Sequence, residues 1–334
     1  MLFVVLLATA GMAAGAAVAG PQITGPPSAA VVRKRADMTD SAYLSSASSL
    51  CAQNHWDCCP LTTGPLPVPT PDTASSFVAN HSYSSLAAAA TIPTGYSKAF
   101  TNAHGSIQQS FGYLGLTQLS AYDADLCADF CNQDSGCRAF NIYVERDPVL
   151  RPAYSVCTDP PSTGNIACTR WGYPINGSSA TNDGSWQASF RVAITASNGY
   201  NKNLDALPPQ TIPDFTGPTV INNRAIQDDS YYLFVDHSDQ SAFDPALCAA
   251  DCKQNTAYNK AHAVNGVYTA CNTFNAYIPV KNGVAEGTRC VLYSEIVSDI
   301  TNKATNTGET RGNDVYTIGE SDVYTLTTPD NGQL

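Results

Sequence analysis

Four aromatic residues have the clearest binding chemistry in this chain. Trp171, Tyr173 and Trp186 lie close together in the sequence, and Tyr293 occupies the position that corresponds to Trp171 in an internal repeat. Flat, exposed aromatic rings stack on sugar faces or anchor a protein partner, so these four residues are candidates for ligand binding. Burial in a hydrophobic core is the competing interpretation for Trp171 and Trp186, and it is the more common fate of such side chains.

Acidic residues form two dense clusters, Asp228-Asp229 and Glu145-Arg146-Asp147. Either cluster could supply a catalytic carboxylate or calcium ligands. Solvated turns are the more common setting for such runs, and we predict turns here. The sequence contains no G-x-S-x-G elbow, H-E-x-x-H motif, P-loop or Rossmann fingerprint. We therefore predict no catalytic residues, no enzyme activity and no cofactor.

An internal duplication supplies the elements that must position these residues. Four cysteines recur in the same order in both copies: Cys127, Cys131, Cys137 and Cys168, then Cys248, Cys252, Cys271 and Cys290. The first two cysteines of each copy are spaced to lie on one face of a helix, and Asp123 and Asp244 are placed to cap the two helices. The Phe-Asn-x-Tyr run that follows the third cysteine alternates like a half-buried strand. Each copy is therefore expected to be a short helix on a β-sheet.

Residues that occur in both copies are expected to build the scaffold. Phe140, Phe274, Tyr143 and Tyr277 are predicted to lie in the core, whereas Asn141 and Asn275 are predicted to satisfy backbone groups. Residues found in only one copy, such as Tyr173 and Trp186, are better candidates for specificity.

The repeated unit resembles the PAN/apple module. The resemblance lies in the C-x-x-x-C helix, the third cysteine before an aromatic strand, and a fourth cysteine with Leu-Tyr after it in the second copy. It implies the disulfides Cys127–Cys168, Cys131–Cys137, Cys248–Cys290 and Cys252–Cys271. It also implies an interaction module that binds carbohydrate or protein. Because a fold does not determine a function, this implication is an analogy.

Four further cysteines remain: Cys51, Cys58, Cys59 and Cys157. The sequence leaves their pairing open, although the adjacent Cys58 and Cys59 are not expected to bond each other because such a bridge is strained. Cys51, Cys58 and Cys59, together with His55, have the residue types of a zinc site. In a secreted protein their thiols are oxidised, so we predict no metal.

The N-terminal region predicts secretion. Residues 1–19 are apolar and end in small residues, which is typical of a signal peptide, with a membrane anchor as the alternative. Residues 20–35 end in Arg33-Lys34-Arg35, a dibasic sequence typical of propeptide cleavage, and a helix is possible at 41–53. Asn80 and Asn176 begin N-glycosylation sequons. Removal of residues 1–35 takes the net charge from −11 to −14, which disfavours binding to nucleic acid or anionic membranes.

Together these patterns predict an α+β protein of two disulfide-stapled modules, each a short helix packed on an antiparallel sheet. The predicted divisions are a signal peptide (1–19), a propeptide (20–35), a cysteine-containing segment with a Pro/Ser/Thr-rich linker (36–93), module 1 (94–204), a second linker (205–219) and module 2 (220–328). The predicted function is non-catalytic binding of an extracellular glycan or protein, outside the cell or in the cell wall. A structural wall glycoprotein and a hydrolase with a cleft between the modules are the alternatives.

Overall fold

The computed structural model describes residues 49, 51–52, 57–154, 157–238 and 240–334. The predicted signal peptide and propeptide lie outside the described residues, as does nearly all of the helix predicted at 41–53. The described helices are α1 (Ala74–Val78), α2 (His81–Ala89), α3 (Ala124–Asn132), α4 (Pro245–Ala261) and α5 (Ile300–Lys303). The strands are β1 (Tyr96–Ala103), β2 (Tyr113–Leu119), β3 (Ala139–Pro148), β4 (Ser162–Trp171), β5 (Trp186–Gln187), β6 (Phe190–Arg191), β7 (Ala193–Lys202), β8 (Phe215–Val220), β9 (Tyr231–His237), β10 (Thr273–Lys281), β11 (Val284–Ala285), β12 (Thr288–Tyr293), β13 (Glu309–Arg311) and β14 (Asp314–Leu326).

Two antiparallel sheets with the same strand order form the body of the protein. The sheet of module 1 has the order β1-β7-β3-β4-β2. The sheet of module 2 has the order β8-β14-β10-β12-β9, with β13 added beside β14 and β11 beside β10. The edge strands β2 and β9 share one alternation of exposed and half-buried residues. The fold is therefore α+β, and the duplication in the sequence is also a duplication of topology.

The cysteine-bearing helices α3 and α4 begin at the predicted caps. The Asp123 carboxylate accepts a hydrogen bond from the Asp125 amide, and the Asp244 carboxylate accepts one from the Ala246 amide, each at 2.9 Å. These bonds satisfy amides that the first turn of a helix leaves unpaired. The cysteines of both helices are buried against the sheets. No helix among the described residues is long and apolar enough to cross a membrane.

Six disulfides join the twelve cysteines. They are Cys51–Cys59, Cys58–Cys157, Cys127–Cys168, Cys131–Cys137, Cys248–Cys290 and Cys252–Cys271. The last four are the pairs that the resemblance implied, and each fixes one of the two helices to its sheet. The first two resolve the pairing that the sequence left open. The Cys58–Cys157 bridge ties the N-terminal segment to an insertion of module 1.

The stretch 60–93 was predicted to be a linker, but it folds onto module 1. Phe77 on α1 and Tyr83 on α2 are fully buried in a cluster with Val144 of β3. Asp72 forms an ion pair of 2.9 Å with the buried Arg146. The proline and serine content is typical of a linker, but two aromatic residues in this polar stretch provide enough apolar surface to dock it.

The stretch 205–219 was also predicted to be a linker, and most of its second half belongs to module 2. Phe215 begins β8, which pairs with β14, and its ring packs edge-on against Phe274 at 5.0 Å. Ile212 lies in the same core. Of the four prolines of this stretch, Pro218 lies within β8, an edge strand, where a missing amide hydrogen is tolerated.

The two modules share a buried contact surface. Tyr173 of module 1 lies in the core of module 2, where its hydroxyl is 3.0 Å from the Ala242 carbonyl and 3.1 Å from the Thr288 hydroxyl. The Arg138 guanidinium of module 1 forms a two-pronged ion pair with Glu320 of module 2, at 2.6 and 3.1 Å. Both charged side chains are almost completely buried. The modules are therefore joined by packing and by a desolvated ion pair.

Asp322 lies two residues beyond Glu320 on β14 and is also buried. Burial and the neighbouring Glu320 carboxylate raise the pKa of Asp322 to about 7, while Arg138 acts in the opposite direction. The same position of module 1 contains Asn198, an uncharged side chain of the same size, which donates to the Ala87 carbonyl. Asp322 is therefore an ionisable group at a position where the other copy has none.

Replacement of Arg138 by alanine is expected to destabilise the protein strongly. The change leaves Glu320 buried without its cation, and breaking a buried ion pair in this way lowers the free energy of unfolding by roughly 3–5 kcal/mol. The matched control is Arg311→Ala, which removes an exposed pair with Glu309 and is expected to change stability by less than about 1 kcal/mol. Urea unfolding measures both variants. Equal, small effects would show that the ion pair does not hold the modules together.

The stability of the protein is expected to fall as the pH rises from about 4 to about 7. Over this range the unfolded chain releases the Asp322 proton while the folded chain, with its raised pKa, still retains it. Asp322→Asn removes this proton and is expected to flatten the decline. Thermal melting of the wild type and the variant at about pH 5 and about pH 8 tests this. An equally steep decline in the variant would contradict the assignment.

Candidate binding site

The four aromatic residues proposed from the sequence lie in very different environments. Their exposed fractions are 4% for Trp171, 0% for Tyr173, 1% for Tyr293 and 68% for Trp186. Trp171 packs with Ile107 and Ile175, and the Tyr293 hydroxyl donates to the Ile226 carbonyl at 2.8 Å. Three of the four rings therefore offer no free face to a ligand, and the core interpretation applies to Trp171. Tyr173 has no counterpart in module 2 because it forms the contact between modules.

A groove on module 2 brings together residues that the sequence did not single out as a site. The groove has a volume of about 390 Å³ and lies on the face of the sheet opposite α4. Tyr231 and Phe234 of edge strand β9 stand along it, with exposed fractions of 46% and 53%. Tyr277 and Tyr293, from β10 and β12, are almost completely buried and support its floor from below. We call this feature the module 2 groove.

One wall of the module 2 groove is fixed by a buried amide. Asn275 accepts a hydrogen bond from the Ile226 amide at 3.0 Å and donates to the Ser321 hydroxyl. Asn141 makes the same contacts in module 1, with the Ile107 amide at 2.9 Å. Both residues thus satisfy backbone groups, as the sequence predicted. In module 2 this contact holds the segment that ends at Asp229 beside the floor, so the wall is preformed.

Charged groups line the rest of the groove in paired form. Arg289 of β12 forms a two-pronged ion pair with Asp236 of β9, at 2.5 and 2.8 Å, and its guanidinium lies 5.3 Å from the centre of the Phe234 ring. The hydrogen bonds that Arg289 donates to the Asp236 carboxylate raise the pKa of Arg289. Asp228 accepts hydrogen bonds from Lys303 and Ser230, which lower its pKa to about 2. Asp228 is therefore ionised and already paired.

The two acidic clusters differ from the solvated turns that were predicted. Asp229 does lie in an exposed turn, but Asp228 is largely buried beside Lys303. Glu145-Arg146-Asp147 lies within strand β3, and Arg146 is buried. Burial and the neighbouring Asp147 raise the pKa of Glu145 to about 8, and burial raises the pKa of Asp147. The sequence did not reveal this burial, because three consecutive charged residues after the apolar run that ends at Val144 are more typical of a turn.

One group of possible metal ligands lies together within the described part of the chain: His237, Asp251 and Cys290. The sulfur of Cys290 is bonded to Cys248, so it is not available as a thiolate ligand. His237 and Asp251 instead contact each other at 2.8 Å. Two ligands are too few for the four-coordinate sites that zinc prefers.

The two sequons differ in their surroundings. Asn80 caps α2: its side-chain Oδ1 accepts a hydrogen bond from the Ser82 amide at 3.0 Å. The Asn176 side chain makes the same contact with the Ser178 amide. The Asn176 amide nitrogen also lies against Gly283 of module 2, so close that a side chain at Gly283 would collide with it. A glycan on Asn176 would therefore meet module 2, whereas Asn80 stands away from this contact.

Comparison with known proteins returned no match: no protein-family model, no curated protein and no solved structure corresponds to this chain. The PAN/apple resemblance therefore remains a prediction from the sequence. The chemistry of the module 2 groove, with two exposed rings and paired charges around a preformed floor, is the most direct indication of function among the described residues.

Proposed function

We propose that this protein is a secreted, non-catalytic binding protein that recognises an extracellular carbohydrate through the module 2 groove. The observation that supports this most is the exposure of Tyr231 and Phe234 side by side along a preformed groove. Two exposed aromatic rings on one face of an edge strand, both lining the same groove, form an apolar patch of the kind that marks a ligand-binding groove.

The polar groups of the groove complement such a ligand. A sugar presents one apolar face and a rim of hydroxyls that both donate and accept hydrogen bonds. Asp229 offers acceptors, Arg289 offers donors, and the side-chain amides of Gln227 and Asn306 offer both. Because Arg289 and Asp236 neutralise each other, the groove favours a neutral ligand over a strongly charged one.

The equivalent face of module 1 supports the assignment by contrast. Leu116 occupies the position of Phe234, as judged from the register of β2 with β4 and of β9 with β12. Tyr113 occupies the position of Tyr231. Module 1 therefore has one exposed ring where module 2 has a pair, so the pair is a feature of one copy rather than of the scaffold.

Secretion and the absence of catalysis are parts of the same proposal. Six disulfides are typical of a protein that folds in an oxidising compartment. The hydrolase alternative predicted carboxylates converging at the junction between the modules. Glu320 and Asp322 do lie there, but both are buried, and Glu320 is bonded to Arg138. They offer a substrate no access.

Binding to insoluble and soluble wall polysaccharides tests the proposal. Chitin, β-1,3-glucan and mannan are incubated with the protein, with Phe234→Ala and with Leu116→Ala as the matched control from module 1. Loss of the Phe234 ring is expected to weaken binding about tenfold, because a stacking contact contributes about 1.4 kcal/mol. Leu116→Ala is expected to bind like the wild type.

Thermal melting of both variants shows whether they are folded, which is expected because both side chains are exposed. Equal binding by Phe234→Ala and Leu116→Ala would place the carbohydrate elsewhere on the protein. Binding to none of the polysaccharides would remove carbohydrate as the ligand and leave a protein partner as the ligand class to test.

A further inference from the structure

A short hairpin of module 1 displays the most exposed of the four aromatic residues named from the sequence. Trp186 and Gln187 form β5, which pairs with Phe190 and Arg191 of β6. Phe190 points inward and is fully buried, with the Arg146 guanidinium 4.2 Å from its ring centre. Trp186 points outward and leaves 68% of its surface in water. The hairpin is thus anchored by one aromatic ring and presents another.

Backbone contacts hold this hairpin in one conformation. Arg146 donates from its guanidinium to the Arg191 carbonyl at 2.8 Å, which ties β6 to β3. The Val192 amide donates to the Ser185 carbonyl at 2.9 Å, and the Ile194 amide donates to the Asp183 carbonyl at 3.2 Å. A ring on a fixed support loses little conformational entropy when a ligand stacks on it. The backbone that carries Trp186 is therefore preorganised for such contact.

A pocket of about 340 Å³ with a mixed polar and apolar lining lies beside the hairpin. Its lining includes Ser75, His104, Asp183 and Arg191. Arg191 forms an ion pair of 2.9 Å with Asp183, and its guanidinium also lies 5.7 Å from the Trp186 ring centre. The pocket thus offers donors and acceptors within reach of a flat apolar ring, and the charges of the ion pair cancel.

We propose that Trp186, Asp183 and Arg191 form a second carbohydrate site, which takes a neutral hexopyranose unit. The Trp186 ring packs on the apolar face of the sugar, the exposed Asp183 carboxylate accepts from its hydroxyls, and Arg191 donates to them. This proposal rests on the proposed function only for the class of ligand. No residue of the module 2 groove takes part in the second site. Two sites on one compact unit would bind a polysaccharide more tightly than an oligosaccharide that fills either site.

Tryptophan fluorescence can report on this site by itself. The chain contains three tryptophans: Trp56, Trp171 and Trp186. Trp171 is buried and therefore shielded from acrylamide, and Trp56→Phe removes the other signal, so quenching in that variant arises chiefly from Trp186. The probes are cellohexaose, laminarihexaose, chitohexaose and mannohexaose. At least one of them is expected to lower the acrylamide quenching constant about twofold in a saturable way.

Two further variants in the Trp56→Phe background test the contacts. Asp183→Asn is expected to raise the sugar concentration needed for half-maximal protection about tenfold, because a charged acceptor is lost. Asp205→Asn, an exposed carboxylate at the start of the segment that follows module 1 and outside this pocket, is the control and is expected to have no effect. Adding Trp186→Phe is expected to abolish the protection signal while the melting temperature stays the same.

Unchanged quenching with all four oligosaccharides would overturn the proposal, as would equal protection in Asp183→Asn and Asp205→Asn. The result is separate from the test of the module 2 groove. Weakened polysaccharide binding in Phe234→Ala together with an unprotected Trp186 would support the groove and overturn the second site. Protection of Trp186 together with unimpaired binding by Phe234→Ala would support the second site and contradict the groove.

Discussion

The buried contact between the two modules is the constraint on which the rest of this structure depends. Arg138 and Glu320 are charged groups without access to water, and each is tolerated only because the other is present. Tyr173 adds a large ring to the core of the neighbouring module. Since both contacts require one arrangement of the modules, the groove of module 2 and the hairpin of module 1 belong to a single body with fixed surfaces.

In both modules, part of the sheet is buried by an element that lies outside the module. In module 1, helices α1 and α2 bury the sheet around Val144 and Ala196. In module 2 the position equivalent to Ala196 is Glu320, and module 1 itself covers that region. Each sheet extends beyond the part that its own cysteine-bearing helix covers, and therefore needs an outside element to exclude water from its far end. This need explains why the segment before module 1 is folded although its composition resembles a linker.

The repeat also separates scaffold from surface. Residues that occur in both copies, such as Asn141 and Asn275, hold equivalent backbone groups and define the shape of each module. The exposed rings differ: Phe234 replaces a leucine, and Trp186 stands on the β5–β6 hairpin at the position that Thr310 occupies in the equivalent β13–β14 hairpin of module 2. A duplicated module can keep its core because packing requires it, while its exposed positions are free to diverge toward ligands. Both proposed sites lie at such positions.

The sequence by itself determined the local and the repeated features. Helix caps at Asp123 and Asp244 follow from the chemistry of a helix end, and the order of cysteines and alternating strands was enough to predict two helix-on-sheet modules. The tertiary structure decided which aromatic residues face water. Tyr173 and Phe234 are similar in type, yet one is fully buried and the other is half exposed. Burial at these positions depends on contacts between residues distant in the chain, here between two modules, and no local pattern records such contacts.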